Sequence, residues 1–125
     1  MEILARSDRP TAIFAANDLM AYGVIDAARI LGLRVPEDLS VGGFDDIRGA
    51  AESVPALTTV VQPMFDLGRV AARFLVKVLS EAEPSSILHQ KLHTRLVIRS
   101  STALPSQEHR SVVANVHVKR SQVSN

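Results

Sequence analysis

The chain alternates short apolar runs with helical segments, and this alternation restricts the folds open to it. Four runs have the length and the apolar or β-branched content of buried strands: residues 11–16, 39–44, 57–61 and 92–98. Apolar residues recur at helical spacing after the first run and again after the third. The order β-α-β-(α)-β-α-β, whose bracketed helix is one turn within residues 47–56, predicts an α/β fold: a parallel sheet with helices on both faces.

Local signals set the helix boundaries. Asn17 and Asp18 follow the first run, and either residue type suits a helix N-cap. Pro63 suits the first turn of the second helix, which is predicted over residues 64–81. The apolar residues expected to turn the first helix toward the sheet are Met20, Val24, Ala27, Ala28 and Leu31.

Composition excludes several classes of protein. The 125 residues carry 14 Lys and Arg against 13 Asp and Glu, so the net charge of +1 gives no electrostatic reason to expect nucleic acid, a membrane surface or a polyanionic substrate. Absence of cysteine excludes disulfides, thiolate metal sites and thiol catalysis. No apolar run is long enough for a membrane span, and the first residues do not resemble a secretory signal. We therefore expect a cytoplasmic protein.

The end of the chain differs in composition from the rest. Residues 103–125 are rich in polar side chains and contain few apolar ones, which cannot offset the entropy cost of ordering the segment. We predict a disordered tail over 103–125 and an ordered domain over 1–102. Because four short strands make a thin sheet, the ordered part is typical of a piece of a larger domain.

Polar side chains follow three of the predicted strands: Asn17 after the first, Asp45 after the second and Gln62 after the third. Ligands of open parallel sheets bind beyond the carboxyl ends of the strands. Carboxylates accept hydrogen bonds from hydroxyls, and amides both donate and accept, so this set suits a neutral sugar or nucleoside. The alternative is that Asn17 or Asp18 is only a cap and that Gln62 is a solvated loop residue.

Catalytic and metal-binding interpretations have weaker support. Asp45 and Asp46 are adjacent, and neighbouring residues of an extended segment point in opposite directions, so they are a poor acid/base pair. No phosphate-binding loop, nucleophile elbow or zinc-helix motif is present. His89 and His93 lie in a predicted loop and strand, which favours a solvated pair. The sequence thus predicts neither an enzyme nor a cofactor.

Several segments, in order and spacing, resemble the LacI/GalR family of bacterial transcriptional repressors. They are Pro10 to Ala21 (PTAIFAANDLMA), Gly32 to Val41 (GLRVPEDLSV), Gly43 to Asp46 (GFDD), Leu57 to Val60 (LTTV) with Gln62-Pro63, Leu67-Gly68, and Thr94 to Ser101 (TRLVIRSS). The resemblance covers about residues 8–104. Two departures are Gly42, where the family usually has a β-branched residue, and His93, where it usually has proline.

The resemblance implies the later part of a two-lobed, periplasmic-binding-protein-like core: most of the second lobe and the crossover helix 64–81. Family members also carry a helix-turn-helix headpiece, which is expected to be missing here. The implied partners are a small polyhydroxylated effector, a second copy of the parent protein, and operator DNA only through that headpiece. No membrane partner is implied.

The same resemblance assigns roles to individual residues. Asp45, Asn17 and Gln62 match effector contacts, and Phe44 either borders the pocket or packs in the sheet. The positions that match the family's dimer interface are Tyr22, Ser53, Val54 and Pro55. Tyr22 also lies off the predicted apolar face of its helix, so it would otherwise be an exposed aromatic residue.

Three other functions remain open at this point. A secreted sugar receptor of the same fold predicts an export signal, and a truncated gene product predicts no stable activity. For the isolated chain we expect weak or no sugar binding and poor solubility. A hydrolase requires a nucleophile or a metal site, for which the sequence gives no motif.

Overall fold

A computed structural model describes residues 2–80 and 89–105. Its strands and helices, in chain order, are β1 (Ala12–Phe14), α1 (Asp18–Ile30), β2 (Ser40–Asp45), β3 (Thr58–Val61), α2 (Met64–Ser80) and β4 (Arg95–Val97). Short 3-10 turns cover Glu2–Leu4 and Arg48–Ala50. The predicted α/β class is confirmed. Most of the predicted tail, residues 106–125, lies outside the described residues.

The four strands form one sheet in the order β1-β2-β3-β4. β1, β2 and β3 are parallel, with Phe14 opposite Gly42 and Asp45 opposite Val61. β4 pairs with β3 in the antiparallel direction. The sheet is therefore mostly parallel, with an antiparallel edge strand, rather than wholly parallel as the sequence predicts.

β4 begins at the end of the sheet where β3 finishes, because the two strands are antiparallel. A parallel connection would need its helix to lie back on the sheet so that the chain could re-enter from the opposite end. Along Met64–Ser80, Val70 is the buried residue, and apolar side chains such as Phe65 and Leu79 are exposed. The role of residues 64–81 as a crossover helix to another lobe stays a prediction.

α1 covers one face of the sheet; of the predicted residues Ala28 is buried as expected, but the buried side of the helix is rotated from the predicted one. Ala21, Ile25 and Ala28 are buried in one cluster with Val41 and Leu57. The predicted residues Met20 and Leu31 are exposed, while Val24 and Ala27 pack at the border of the cluster. The rotation follows from Asp18, whose buried carboxylate fixes the first turn of α1 against the sheet.

The opposite face of the sheet is open in the described part of the chain. Phe14 and Leu96 are exposed there, and together with Gly42 and Thr58 they line a shallow apolar depression. The sequence predicts helices on both faces of the sheet. In the described residues, α1 lies on one face.

Asp38 gives the loop between α1 and β2 a pH-dependent contribution to stability. Its carboxylate accepts hydrogen bonds from the Arg34 backbone N (2.9 Å), Nε (2.7 Å) and Nη2 (2.7 Å). These bonds hold the pKa of Asp38 well below its usual range. A carboxyl whose pKa is lowered by folding stabilises the protein above its unfolded pKa, and this stabilisation is lost as pH falls toward the folded pKa.

We therefore expect Asp38→Asn to lower the free energy of unfolding at neutral pH, and the deficit to shrink as pH falls below about 4. Urea unfolding of the parent and variant chains across this pH range measures it. A deficit that is constant with pH would contradict the assignment.

Candidate functional site

The polar residues predicted at the strand ends lie along one edge of the sheet. The backbone N of Ala15 donates to Gly42 O (2.8 Å), which extends the pairing of β1 with β2 toward Asn17. Asp45, the last residue of β2, is opposite Val61, and Gln62 follows directly. Because the three strands are parallel, Asn17, Asp45 and Gln62 leave the sheet at the same edge.

Asp45 and Gln62 are in direct contact. Gln62 Nε2 donates to Asp45 Oδ1 over 2.5 Å, and both residues are partly buried. Asp45 has a φ of 113° and Asp46 a φ of 56°. Positive φ is uncommon in residues other than glycine, although Asp and Asn adopt it more often than most. Two consecutive aspartates in this conformation end β2 sharply and hold the Asp45 carboxylate at the sheet edge.

Asn17 is the N-cap of α1. Its φ and ψ are −153° and 171°, and its Oδ1 accepts from Met20 N at 2.8 Å. This settles which of Asn17 and Asp18 is the cap. The cap uses the oxygen of the amide and leaves the Nδ2 donor for other contacts. Asn17 lies at the same sheet edge as Asp45 and Gln62 but, in the described structure, forms no hydrogen bond with either.

Asp46 is not available as an acid/base partner of Asp45. Its Oδ1 forms an ion pair with Arg99 Nη2 at 2.7 Å, and the two side chains retain 23% and 18% of their exposure respectively. Arg99 also donates from Nη1 to Leu57 O at 2.8 Å. Arg99 is a residue that the sequence-based search missed, because nothing local to it indicates a partner so distant along the chain.

Asp18 is a second residue whose importance the sequence understates. It is fully buried; its Oδ1 accepts from Thr59 Oγ1 at 2.5 Å and its Oδ2 from Ile47 N at 2.9 Å. These bonds join the start of α1 to β3 and to the loop that follows β2. A second residue suited to capping directly follows Asn17 in the sequence, although a helix needs only one N-cap. This surplus cap residue is the sequence signal that points to another role for Asp18.

Phe44 lies on the open face of the sheet. Phe44 and Gly42 are two residues apart in β2, so they lie on the same side of the strand, and Gly42 lines the apolar depression on that face. Phe44 is partly buried and immediately precedes Asp45. Its contact with a ligand stays a prediction.

The residues predicted for a dimer interface lie around two adjoining grooves. Tyr22, Ser53 and Val54 line the first groove, and Pro55 lines the second together with Val54. The Tyr22 hydroxyl is buried and, among the described residues, has no hydrogen-bond partner. Burial raises the pKa of Tyr22, and the negative charge of Asp18 adds to the effect.

Two further searches apply to the described residues. Over 2–80 and 89–105, no three His, Asp or Glu side chains converge as a metal site would require, and His89 and His93 are exposed. None of the helices in this part of the chain has both the length and the apolar character needed to cross a bilayer.

Residues 1–102 match the model of the periplasmic binding protein-like domain. The chain is 45% identical over 103 residues to the HTH-type transcriptional repressor PurR of Serratia proteamaculans, covering 82% of this chain and 30% of that protein. The structure is similar to the transcriptional regulator CelR in complex with cellobiose (39% identity, TM-score 0.72, 78% of this chain and 30% of that one). It is also similar to a LacI family regulator from Enterococcus faecium with bound ribose (33% identity, TM-score 0.69, 82% of this chain and 37% of that one).

These relatives are transcriptional regulators rather than enzymes, in agreement with the non-enzymatic function predicted from the sequence. The chain spans about a third of the length of the relatives it matches. It belongs to the periplasmic binding protein-like domain family, and its sequence and fold are similar to part of LacI-type transcriptional regulators.

Proposed function

We propose that the chain supplies one wall of a sugar-binding site and one half of a dimer interface in a LacI-type regulator. The observation that carries the first part is the Asp45 carboxylate, held by Gln62 at 2.5 Å where the parallel strands end. Asp45 accepts hydrogen bonds from ligand hydroxyls, Gln62 offers both a donor and an acceptor, and Asn17 offers its Nδ2. Such a set suits a neutral polyhydroxylated ligand.

The relatives give this ligand class independent support. The structures of two similar regulators hold cellobiose and ribose, which are neutral and rich in hydroxyls. Arg99 is engaged by Asp46 and by a backbone carbonyl, whereas Arg95, opposite Val61 on β4, is an exposed cation at the same edge. The support for a sugar therefore comes from the uncharged donors and acceptors of Asn17 and Gln62 and from the two bound sugars, not from the charges at the edge.

In the whole regulator, the ligand would act by shifting a conformational equilibrium. A sugar changes the state of the protein only as far as it binds one state more tightly than the other. Operator DNA would be bound by a helix-turn-helix segment, as the description of the Serratia proteamaculans relative as an HTH-type repressor suggests. Because such regulators act on DNA, we place the protein in the cytoplasm.

Saturation-transfer NMR of the 125-residue chain with ribose and cellobiose tests the sugar site. Because one wall of a cleft offers few contacts, we expect weak binding that is detectable at millimolar sugar concentrations. Tris-free buffer and an apolar solute of similar size are the controls. Absence of transfer to both sugars, with the chain folded, would contradict the proposal.

Asn17→Asp separates a ligand contact from a helix cap. Aspartate caps helices as well as asparagine does, and its charge is favourable at a helix N-terminus, so stability should not fall. An ionised carboxylate cannot donate, so sugar binding should weaken. Asn17→Ala is the matched control, because it removes both functions and should cost about 1 kcal/mol of stability. Unchanged sugar binding in Asn17→Asp would show that Asn17 is a helix cap and that its Nδ2 does not contact the sugar.

The second part of the proposal concerns the groove lined by Tyr22, Ser53 and Val54. The Val54 side chain is 82% exposed, and the buried Tyr22 hydroxyl lacks a partner within the described chain. A second copy could cover the exposed Val54, whereas the Tyr22 hydroxyl is already enclosed by its own chain, so this part of the proposal rests on Val54 and the groove around it.

We expect Val54→Asp to convert a dimer to a monomer in sedimentation velocity at micromolar concentration, because it places a charge in the interface. Leu104→Asp, at a site of matching 79% exposure, is the control and should leave assembly unchanged. A parent chain that is monomeric throughout would contradict this part of the proposal.

A further inference from the structure

Three consecutive residues at the end of β2, Asp45 to Ile47, are each held by a side chain from a different part of the fold. Gln62 Nε2 donates to Asp45 Oδ1, Arg99 forms an ion pair with Asp46, and the Asp18 carboxylate accepts from Ile47 N. These contacts come from the β3–α2 junction, from the segment after β4 and from the start of α1.

The backbone of the same residues is in a conformation that needs such support. Asp45 and Asp46 both have positive φ, and Ile47 returns to a φ of −62°. A residue other than glycine held at positive φ persists only where its surroundings fix it, because relaxed alternatives are lower in energy. The contacts to residues 45–47 therefore determine where the Asp45 carboxylate lies.

Arg99 is held in place by contacts of both its backbone and its side chain. Its backbone N donates to Thr58 Oγ1 (2.9 Å) and its Nη1 to Leu57 O (2.8 Å), while Nη2 contacts Asp46 Oδ1 (2.7 Å). A guanidinium is planar and presents its donors in a fixed arrangement. Asp46 is thereby tied to the start of β3, which belongs to the buried part of the sheet.

Burial separates this ion pair from those on the surface. Arg99 and Asp46 have side-chain exposures of 18% and 23%, whereas Arg69 and Asp66 of α2 have 60% and 49% at the same 2.7 Å separation. Exposed pairs contribute little, but removing one member of a sheltered pair leaves a charge that must find water. For Asp46, loss of Arg99 also removes the contact that ties residues 45–47 to the sheet.

We propose that Arg99 is a positioning residue of the sugar site: through Asp46 it holds Asp45 in the left-handed conformation that presents its carboxylate at the sheet edge. The part of this proposal that concerns sugar rests on the proposed function, in which the Asp45 carboxylate binds the ligand. The part that concerns the conformation of Asp45 rests on the contacts of Arg99 alone. Arg99 itself is not expected to touch the sugar.

The test uses isotope-labelled full chains carrying Arg99→Leu, Arg99→Lys or the matched control Arg69→Leu. The first readout needs no ligand: the strong amide-to-Hα NOE within Asp45 that positive φ produces. The second is the ribose and cellobiose affinity from the same samples. Amide shifts of Val41 and Thr59 report whether the sheet is intact.

We expect Arg99→Leu to lose the Asp45 NOE and to bind sugar at least about tenfold more weakly, the equivalent of one lost charged hydrogen bond. Arg99→Lys, which keeps the charge but cannot serve both Asp46 and Leu57 O, should fall between it and the parent. Arg69→Leu should match the parent in both readouts. If Arg99→Leu does not fold, the comparison of Arg99→Lys with Arg69→Leu carries the same expectation.

An Asp45 NOE that persists in both Arg99 variants would overturn the positioning role, whatever the sugar data. Loss of the NOE with unchanged sugar affinity would overturn it as well, because the conformation would then have no bearing on binding. If the parent chain binds neither sugar while the NOE responds as expected, the proposed sugar site fails and the geometric role of Arg99 stands.

Discussion

Replacing Asp45 with alanine is expected to abolish detectable sugar binding. The carboxylate is the strongest acceptor at the sheet edge, and hydrogen bonds to a charged group contribute about 1.5–3 kcal/mol each. Loss of one such bond weakens binding about tenfold or more, and a carboxylate commonly accepts two. From an affinity that is already weak, this change removes the signal in saturation-transfer NMR.

Two further variants keep this result interpretable. Asp45→Asn preserves the shape and one acceptor, and asparagine also tolerates positive φ, so it should bind weakly rather than not at all. Asp66→Ala, which removes an exposed carboxylate from α2, should bind like the parent. Because alanine is strained at the Asp45 φ of 113°, the unfolding free energy is measured alongside. Sugar binding by a folded Asp45→Ala chain at the parent's affinity would remove Asp45 from the site.

Asp18→Ala is expected to have the largest effect on stability. It removes the acceptor of a buried hydrogen bond from Thr59 Oγ1 and of a partly buried one from Ile47 N, and leaves both donors without this partner. The loss is on the order of 3 kcal/mol or more, set against a total stability of about 5–15 kcal/mol for a typical domain. Urea unfolding followed by circular dichroism measures it.

The surroundings of Asp18 leave little room for relaxation. A Cβ on Gly43 would come within 3.3 Å of Asp18 Cα and 3.0 Å of Leu57 Cδ2, so the sheet meets α1 closely at this point. Asp26→Ala on the exposed side of α1 is the control and should change the unfolding free energy by about 0.5 kcal/mol or less. An Asp18→Ala chain as stable as this control would show that the buried carboxylate does not anchor the helix.

The features predicted correctly from the sequence are those that depend on short stretches of chain. The four strands and two helices were recognisable because run length and periodicity are local properties. The convergence of Asn17, Asp45 and Gln62 on one edge follows from parallel pairing alone, since parallel strands end on the same side.

Features that depend on contacts distant in sequence were not predictable in this way. The rotation of α1 is set by the bond between Asp18 and Thr59, so apolar periodicity selected Met20 where Ala21 is buried. The ion pair of Asp46 with Arg99 leaves no local pattern. The direction of β4 depends on whether α2 packs on the sheet, and its amphipathic sequence does not reveal which surface it will contact.

Residue-by-residue mapping of amide shift changes on adding ribose or cellobiose addresses the sugar site most directly. We expect saturable shift changes at Asn17, Asp45 and Gln62, because the hydroxyls of one sugar would contact all three side chains at the strand ends. The shifts of Tyr22 and Val54 should not change. Shift changes confined to the Tyr22 groove, or scattered over the chain without saturation, would contradict sugar binding at the sheet edge.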